Sequence, residues 1–390
     1  MSPSSSNSIK IASLFSRTGV TAITEKSLGN AVALAVKEIN QNGGVNGRLL
    51  DLEECDPKCD IRLYRSETQR LIDSGVSTIF GCYMSSTRKV TLPIIEQQDK
   101  LLFYPTFYEG FEFSPNCIYS GAVPNQNSIW LANYLLENYG DTFILVGSNY
   151  VFPYESNRVV RDFIANRNGS VLDEIYIPLS PTQAEIDKVI DRIKSAGPVV
   201  VISTIVGEGL VSFYQSYQKA GIDTSISPIG SVITGEVEFE EVGLEASIGH
   251  VTSAPYFSSI KSTQNARFVA LYRESFGAGS PISAATEAAY MQVHLFAEAA
   301  RCAGSSDRES ILRVLPTFSL DAPQGSVRVS RENHHTYLWP KVAVVNGKGE
   351  FDIVQNAQTS IRPDPYLIDF DQTFGQEFSS SLPLRSGIPS

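Results

Sequence analysis

The stretch "STIFGCYMSSTRKVTLPIIEQQDKLLFYPT", residues 77–106, reads as a strand, a helix and a second strand. "STIFGCY" and "LLFYPT" are apolar runs of strand length, and the segment from about Thr87 to Gln98 between them has helical periodicity. A crossover helix between two buried strands implies that those strands run parallel. In an open parallel sheet the ligand crevice lies beyond the carboxyl ends of the strands, where helix N-termini leave N–H groups free. "GCYMSSTRK", residues 81–89, is therefore both a strand-to-helix turn and a candidate binding loop.

The same alternation extends in both directions. Upstream, "IKIASLFS" precedes the amphipathic "EKSLGNAVALAVKEINQNGG", whose Gly-Gly end is a helix stop, and "RLLDLEEC" follows, then a helix from about Tyr64 to Ser74. Downstream, Pro and Asn cluster in "SPNCIYSGAVPNQN", where the chain crosses to a second lobe. There "TFILVGS", "SVLDEIYIP" and "VVVISTI" are strands, separated by helices near 127–139, 154–167, 182–195 and 207–220. Beyond "GHVTSAPYFSS" come long helices near 262–276 and 284–303 and a hairpin in "LWPKVAVVNGKGEFDIVQ". The pattern predicts an α/β protein of two similar lobes, each with a parallel sheet, joined by several crossings around a cleft.

Composition excludes several classes of function. A chain of 390 residues that is 42% hydrophobic and 19% charged has room for two or three ordinary cores. A net charge of −11 gives the whole chain no electrostatic footprint for nucleic acid or an anionic membrane. No stretch approaches the roughly 18 apolar residues needed to span a bilayer, and "MSPSSSNSIKIASLFS" reads as no export signal, so a cytoplasmic location is expected, or a periplasmic one where an upstream signal sequence was missed. Five cysteines, an odd number, fit free thiols better than a disulfide framework.

An enzyme reading needs a nucleophile, a metal or a cofactor, and the residues for these are sparse. His250, His294, His334 and His335 lie outside any HExxH or cysteine-rich context, and no GxSxG, P-loop or post-strand GxGxxG is present. Adjacent imidazoles in "NHH" would point to opposite faces of a strand and could not share an ion. Cys117 has no base or cation beside it and reads as a small buried hydrophobe. No catalytic residues, metal or cofactor are expected.

What the strand ends do carry is a set of neutral hydroxyls and rings. Tyr83, Ser85, Ser86 and Thr87 follow one strand, Tyr104, Thr106, Phe107 and Tyr108 the next, and Ser148 and Tyr150 the first strand of lobe two. Thr204 with Gly207, and Ser231 with Thr234, follow later strands. Such a wall pairs every N–H and C=O of a small uncharged amide or urea, whereas a zwitterion would need fixed charges. The plainer explanation of any single member is an N-cap or a packing ring. Arg88 and Lys89 are assigned to the helix surface, because no anionic ligand group requires them.

Together "GCYMSSTRK", "LLFYPTFYEGFEFSPN", "GAVPNQN", "NYVFPYESN", "APYFSS", "DAPQGSVRV", "ENHHT" and "IRPDPY" resemble one family over about residues 9–367. It is the AmiC-like amide sensors, negative regulators of aliphatic amidase operons, within the urea and short-chain amide binding proteins. The resemblance implies a type I periplasmic-binding-protein fold, with residues 1–121 plus about 251–330 in lobe one, 122–250 plus about 331–369 in lobe two, and a flexible tail at 370–390. It also implies no enzymatic activity, a homo-oligomer, and a ligand held by Tyr83, Ser85, Tyr104, Thr106 and Tyr150, to which the strand-end reading adds Phe107 and Thr234, the latter in a stretch, "SVITGE", that differs from the regulator's. In the regulatory branch the partner would be an AmiR-like RNA-binding antitermination protein; the alternative is a transporter's solute-binding component serving an ABC permease. Phe107 and Phe152 depart from the regulator's pattern, and a bulkier Phe107 favours a short ligand.

Overall fold

The computed structural model describes residues 8–367 and the short strand Leu384–Arg385. The expected tail at 370–390 lies outside the described residues apart from that strand. In lobe one, β1 (Ser8–Leu14), β2 (Leu49–Cys55), β3 (Thr78–Gly81), β4 (Leu101–Tyr104) and β5 (Cys117–Tyr119) form a wholly parallel sheet in the order β2-β1-β3-β4-β5. The registers Leu14↔Gly81 and Phe80↔Phe103 bring the carboxyl ends of β1, β3 and β4 side by side. The loops that follow these strands therefore share one rim. Helices α1 (Ala22–Gln41), α2 (Ile61–Asp73) and α3 (Ser85–Gln97) connect them.

Lobe two repeats the plan with β6 (Thr142–Ser148), β7 (Ser170–Ile177), β8 (Val200–Thr204), β9 (Ile229–Ser231) and β10 (Val251–Ala254). Its helices are α4 (Ser128–Asn138), α5 (Val151–Asn166), α6 (Gln183–Ala196), α7 (Glu208–Lys219), α8 (Glu236–Val242) and α9 (Leu244–Ser247). The chain then returns to lobe one through α10 (Thr263–Phe276), α11 (Ala284–Ala303) and α12 (Arg308–Val314), and α11 packs on α1, with the Ser27 and Thr286 hydroxyls 2.8 Å apart. A small sheet of β11 (Ser319–Ala322), β12 (Gly325–Val329) and β13 (Thr336–Tyr337) follows, with β16 (Leu384–Arg385) along its edge. The hairpin of β14 (Lys341–Val345) and β15 (Phe351–Asn356) adds antiparallel to β10, giving the order β15-β14-β10-β9-β8-β6-β7.

Strand pairing puts β10 in the second sheet and β13 beside β12, so the second and third crossings fall after Ala254 and between Tyr337 and Lys341. They lie a few residues beyond the expected 251 and 331. Each lobe has its own core, one around β6 and β8, the other around β1, β3 and α11. Phe107 and Tyr150 pack against both. The Thr24 hydroxyl of α1 donates to Glu238 of α8 across the gap, so the lobes stand closed on each other.

Candidate functional site

Tyr83, Ser85, Thr106 and Phe107 from lobe one and Tyr150, Phe152 and Val206 from lobe two surround a narrow cleft between the lobes, about 210 Å³ including space open to solvent. Backbone geometry explains the convergence. Tyr83 leaves β3, Ser85 opens α3, Thr106 and Phe107 leave β4, Tyr150 stands at the N-cap of α5, and Val206 follows β8. All sit at carboxyl ends of parallel strands or at the helix starts beyond them. Phe107 meets Phe152 across the gap with ring centroids 5.7 Å apart, and Tyr150 lies 6.2 Å from Phe152. Burial pushes the Tyr83 and Tyr150 phenols well above their ordinary range, so both stay neutral hydrogen-bonding groups.

Two of the expected ligand residues stand elsewhere. Tyr104 is fully buried behind the wall, where its hydroxyl donates to the Tyr83 carbonyl at 2.8 Å and its ring carries the Arg88 guanidinium at 4.7 Å. Thr234 lines a larger adjoining chamber, about 580 Å³ including space open to solvent, which shares Tyr83 and Phe107 with the small cleft. Its hydroxyl lies 3.0 Å from that of Tyr214, and its carbonyl accepts from Thr252 at 2.7 Å.

The hydroxyls of the small cleft are themselves held. Thr106 Oγ1 donates to the Cys82 carbonyl at 3.2 Å, and Ser85 Oγ donates to Glu109 Oε2 at 2.5 Å. Helix α3 begins at Ser85 rather than near Thr87, and this start places Arg88 on the inward face together with Ser85. The surface assignment of Arg88 is therefore overturned: its side chain is 0% exposed. Its Nε donates to Glu112 Oε1 at 2.7 Å, Nη2 reaches Glu109 and Glu112 at 3.3 Å each, and Nη1 reaches Ser85 Oγ at 3.3 Å. The rings of Tyr104 and Tyr108 flank the guanidinium. Burial alone would lower the Arg88 pKa, but Tyr104, Glu109 and Glu112 outweigh it and hold it raised. Burial would likewise raise Glu112, yet Arg88 wins and brings its carboxyl down to about 2. Lys89 is half-exposed and donates to Glu112 at 3.2 Å, so it too is turned away from the cleft.

The chamber contributes carboxylates that sequence reasoning missed. Glu236 accepts the Ser258 N–H at 2.7 Å through one oxygen, while the other is buried with no partner, and burial raises its pKa to about 7. Glu238 accepts the Gly235 N–H at 2.9 Å and the Thr24 hydroxyl, and burial raises it as well. In "TGEVEFEE" these residues look like a solvated acidic helix start, and Glu238 does accept the N-cap Gly235 N–H as an N3 carboxylate would; nothing local signals the cavity. Phe152 and Val206 follow the same strand-end rule as Tyr150 and were within its reach.

Elsewhere, His335 is buried, stacked on Tyr119 at 4.2 Å, and shares a 2.6 Å hydrogen bond with the Tyr108 hydroxyl; burial lowers its pKa to about 3. Cys117 is buried with its thiol pushed up by that burial. Among the described residues no group of three or more His, Cys, Asp or Glu is placed to hold a metal, and no helix is long and apolar enough to cross a membrane. The cleft presents neutral hydrogen-bonding groups and rings, the means of non-covalent capture.

Residues 9–372 match the family described as periplasmic binding protein domain. The chain belongs to the periplasmic binding proteins. Among other members, the leucine-, isoleucine-, valine-, threonine- and alanine-binding protein of Pseudomonas aeruginosa is 21% identical over 332 residues, covering 82% of this chain and 85% of that one. A solute-binding protein of an ABC transporter from Rhodopseudomonas palustris, solved with 3,4-dihydroxybenzoic acid, superposes with a TM-score of 0.81 at 20% identity, covering 91% of this chain and 98% of that one. A limonene hydroxylase of Geobacillus stearothermophilus is 27% identical over 126 residues, but the match spans only 32% of this chain and 23% of that protein. The two-lobed architecture of periplasmic binding proteins thus accounts for the sheets, the crossings and the cleft described above.

Proposed function

We propose that this chain captures a small uncharged ligand with an amide or urea head between its lobes and delivers it to an ABC-type permease, without chemistry on the ligand. The observation that carries the ligand class is the wall of the small cleft: hydroxyls and rings, with the nearby cations Arg88 and Lys89 both engaged by Glu109 and Glu112. A carboxylate entering this cleft meets no counter-charge among its lining residues. Dihydroxybenzoate and branched-chain amino acids are ligands of the relatives, and this wall does not favour them here.

Delivery rather than gene regulation is favoured because the relatives include a transporter's solute-binding protein and an amino-acid-binding protein. The amidase-operon sensor, with an AmiR-like partner in the cytoplasm, rests on the resemblance of the site motifs alone. Transport would put the capture step outside the cytoplasmic membrane. Titration calorimetry of the purified protein against acetamide, butyramide, urea, leucine and benzoate tests the ligand class. Saturable binding is expected for at least one amide or urea; tight leucine or benzoate binding with no response to amides or urea overturns it.

A further inference from the structure

Glu109 lies behind the cleft wall rather than in it, and it holds the hydroxyl of Ser85, which is in the wall. A serine hydroxyl has one proton to give and two lone pairs to offer. At Ser85 the proton is committed to Glu109 Oε2 at 2.5 Å, because a carboxylate only accepts. One lone pair faces Arg88 Nη1 at 3.3 Å. What the Ser85 hydroxyl has left for the cleft is an acceptor. Thr106 is arranged alike, its proton spent on the Cys82 carbonyl at 3.2 Å. Two hydroxyls that could have read either kind of ligand atom are thereby set to the same polarity.

We propose that Glu109, anchored by the fully buried Arg88, is a positioning residue that fixes Ser85 as a hydrogen-bond acceptor, so that the cleft selects ligands presenting an N–H donor and rejects carboxylates of the same shape. The proposal rests on the amide or urea reading above and deepens it. An acetate oxygen would meet a lone pair of Ser85 with a second carboxylate immediately behind it, whereas the NH₂ of acetamide meets the same lone pair as a donor. The plainer role for Glu109 is as a counter-ion to Arg88. Glu112, however, already engages Arg88 through Nε and Nη2, and it is Glu109 that takes the Ser85 proton.

The test compares acetamide with acetate by calorimetry in the wild type and in Glu109→Gln, Glu112→Gln and Ser85→Ala. The wild type should prefer acetamide by about a hundredfold or more, as a site loses heavily when its polar groups are left unpaired. In Glu109→Gln the new amide N–H donates to Ser85 and frees the hydroxyl proton, so the acetamide-to-acetate ratio should fall by about tenfold or more. Glu112→Gln removes the same charge beside Arg88 without touching Ser85 and should leave the ratio within about twofold. Ser85→Ala, a small change expected to fold whatever Glu109→Gln does, should lower the ratio through weaker acetamide binding. An unchanged ratio in Glu109→Gln or in Ser85→Ala, or an equal fall in Glu112→Gln, overturns the role of Glu109. A wild type that binds leucine or benzoate and no amide or urea removes the ligand-class reading instead.

Discussion

Lobe one meets the cleft with hydroxyls braced by a buried ion cluster, whereas lobe two meets it with Tyr150, Phe152 and Val206. The difference separates two tasks. Groups that read a ligand's polar head must be fixed before it arrives, and Ser85 is fixed through Glu109 and Arg88. Groups that close over it need only exclude water and pack, so rings with no charge to desolvate serve best. Closure then stabilises the shut arrangement to the extent that ligand contacts differ between open and shut states. The chamber beside the cleft is a third case, with carboxylates that are buried and have no cation among the lining residues.

The harshest way to break this comparison is Arg88→Met. It leaves Glu109 and Glu112, 4% and 16% exposed, with only the half-exposed Lys89 as a cation, and the expected cost is about 3–5 kcal/mol of stability in urea denaturation. The acid limb of the stability profile should change as well. Because Glu112 titrates near 2 instead of its usual 4.5, its contribution is complete above about pH 4.5 and is lost as pH falls toward 2. The variant should lack that component. A loss below about 1 kcal/mol would mean that Lys89 and solvent, not Arg88, compensate these carboxylates.

Glu236→Gln probes the chamber with the opposite sign. Its carboxyl is raised from 4.5 to about 7, so the native state binds the proton more tightly, and stability declines as pH rises from about 4.5 through 7 before levelling off. The amide removes that penalty. Stability should rise by about 3 kcal/mol at pH 8 and stay nearly unchanged at pH 4, read as paired denaturation curves. Equal effects at the two pH values would assign the change to packing rather than to charge.

How much of this was legible follows from what one dimension records. Apolar runs such as "STIFGCY" and "TFILVGS" mark buried parallel strands directly, and the strand-end rule then gathers Tyr83, Ser85, Thr106, Phe107 and Tyr150 without knowledge of their contacts. Three-residue β5 and the small β11–β13 sheet lack a run long enough to show a period. Arg88, Glu109 and Glu112 were misjudged or overlooked for a different reason. Charged residues in sequence look solvated, and only the fold reveals that the loop after β4 supplies both carboxylates to one guanidinium under α3.

Tyr104 gives the finest test, because the resemblance puts it on the ligand while the structure puts it one layer behind. All of β4 from Leu101 to Tyr104 is buried, and the Tyr104 hydroxyl is used by the Tyr83 carbonyl. Tyr104→Phe keeps the ring beneath Arg88 and removes the hydroxyl's bond to Tyr83 together with its contact to the guanidinium. A residue acting through Tyr83 should then cost about 1 kcal/mol of stability and change amide affinity by no more than about threefold. A residue that touches the ligand through its hydroxyl would do the reverse, losing about tenfold in affinity with stability almost intact. Measuring both quantities on the one variant decides whether the reading surface of lobe one ends at Tyr83 or extends a layer deeper.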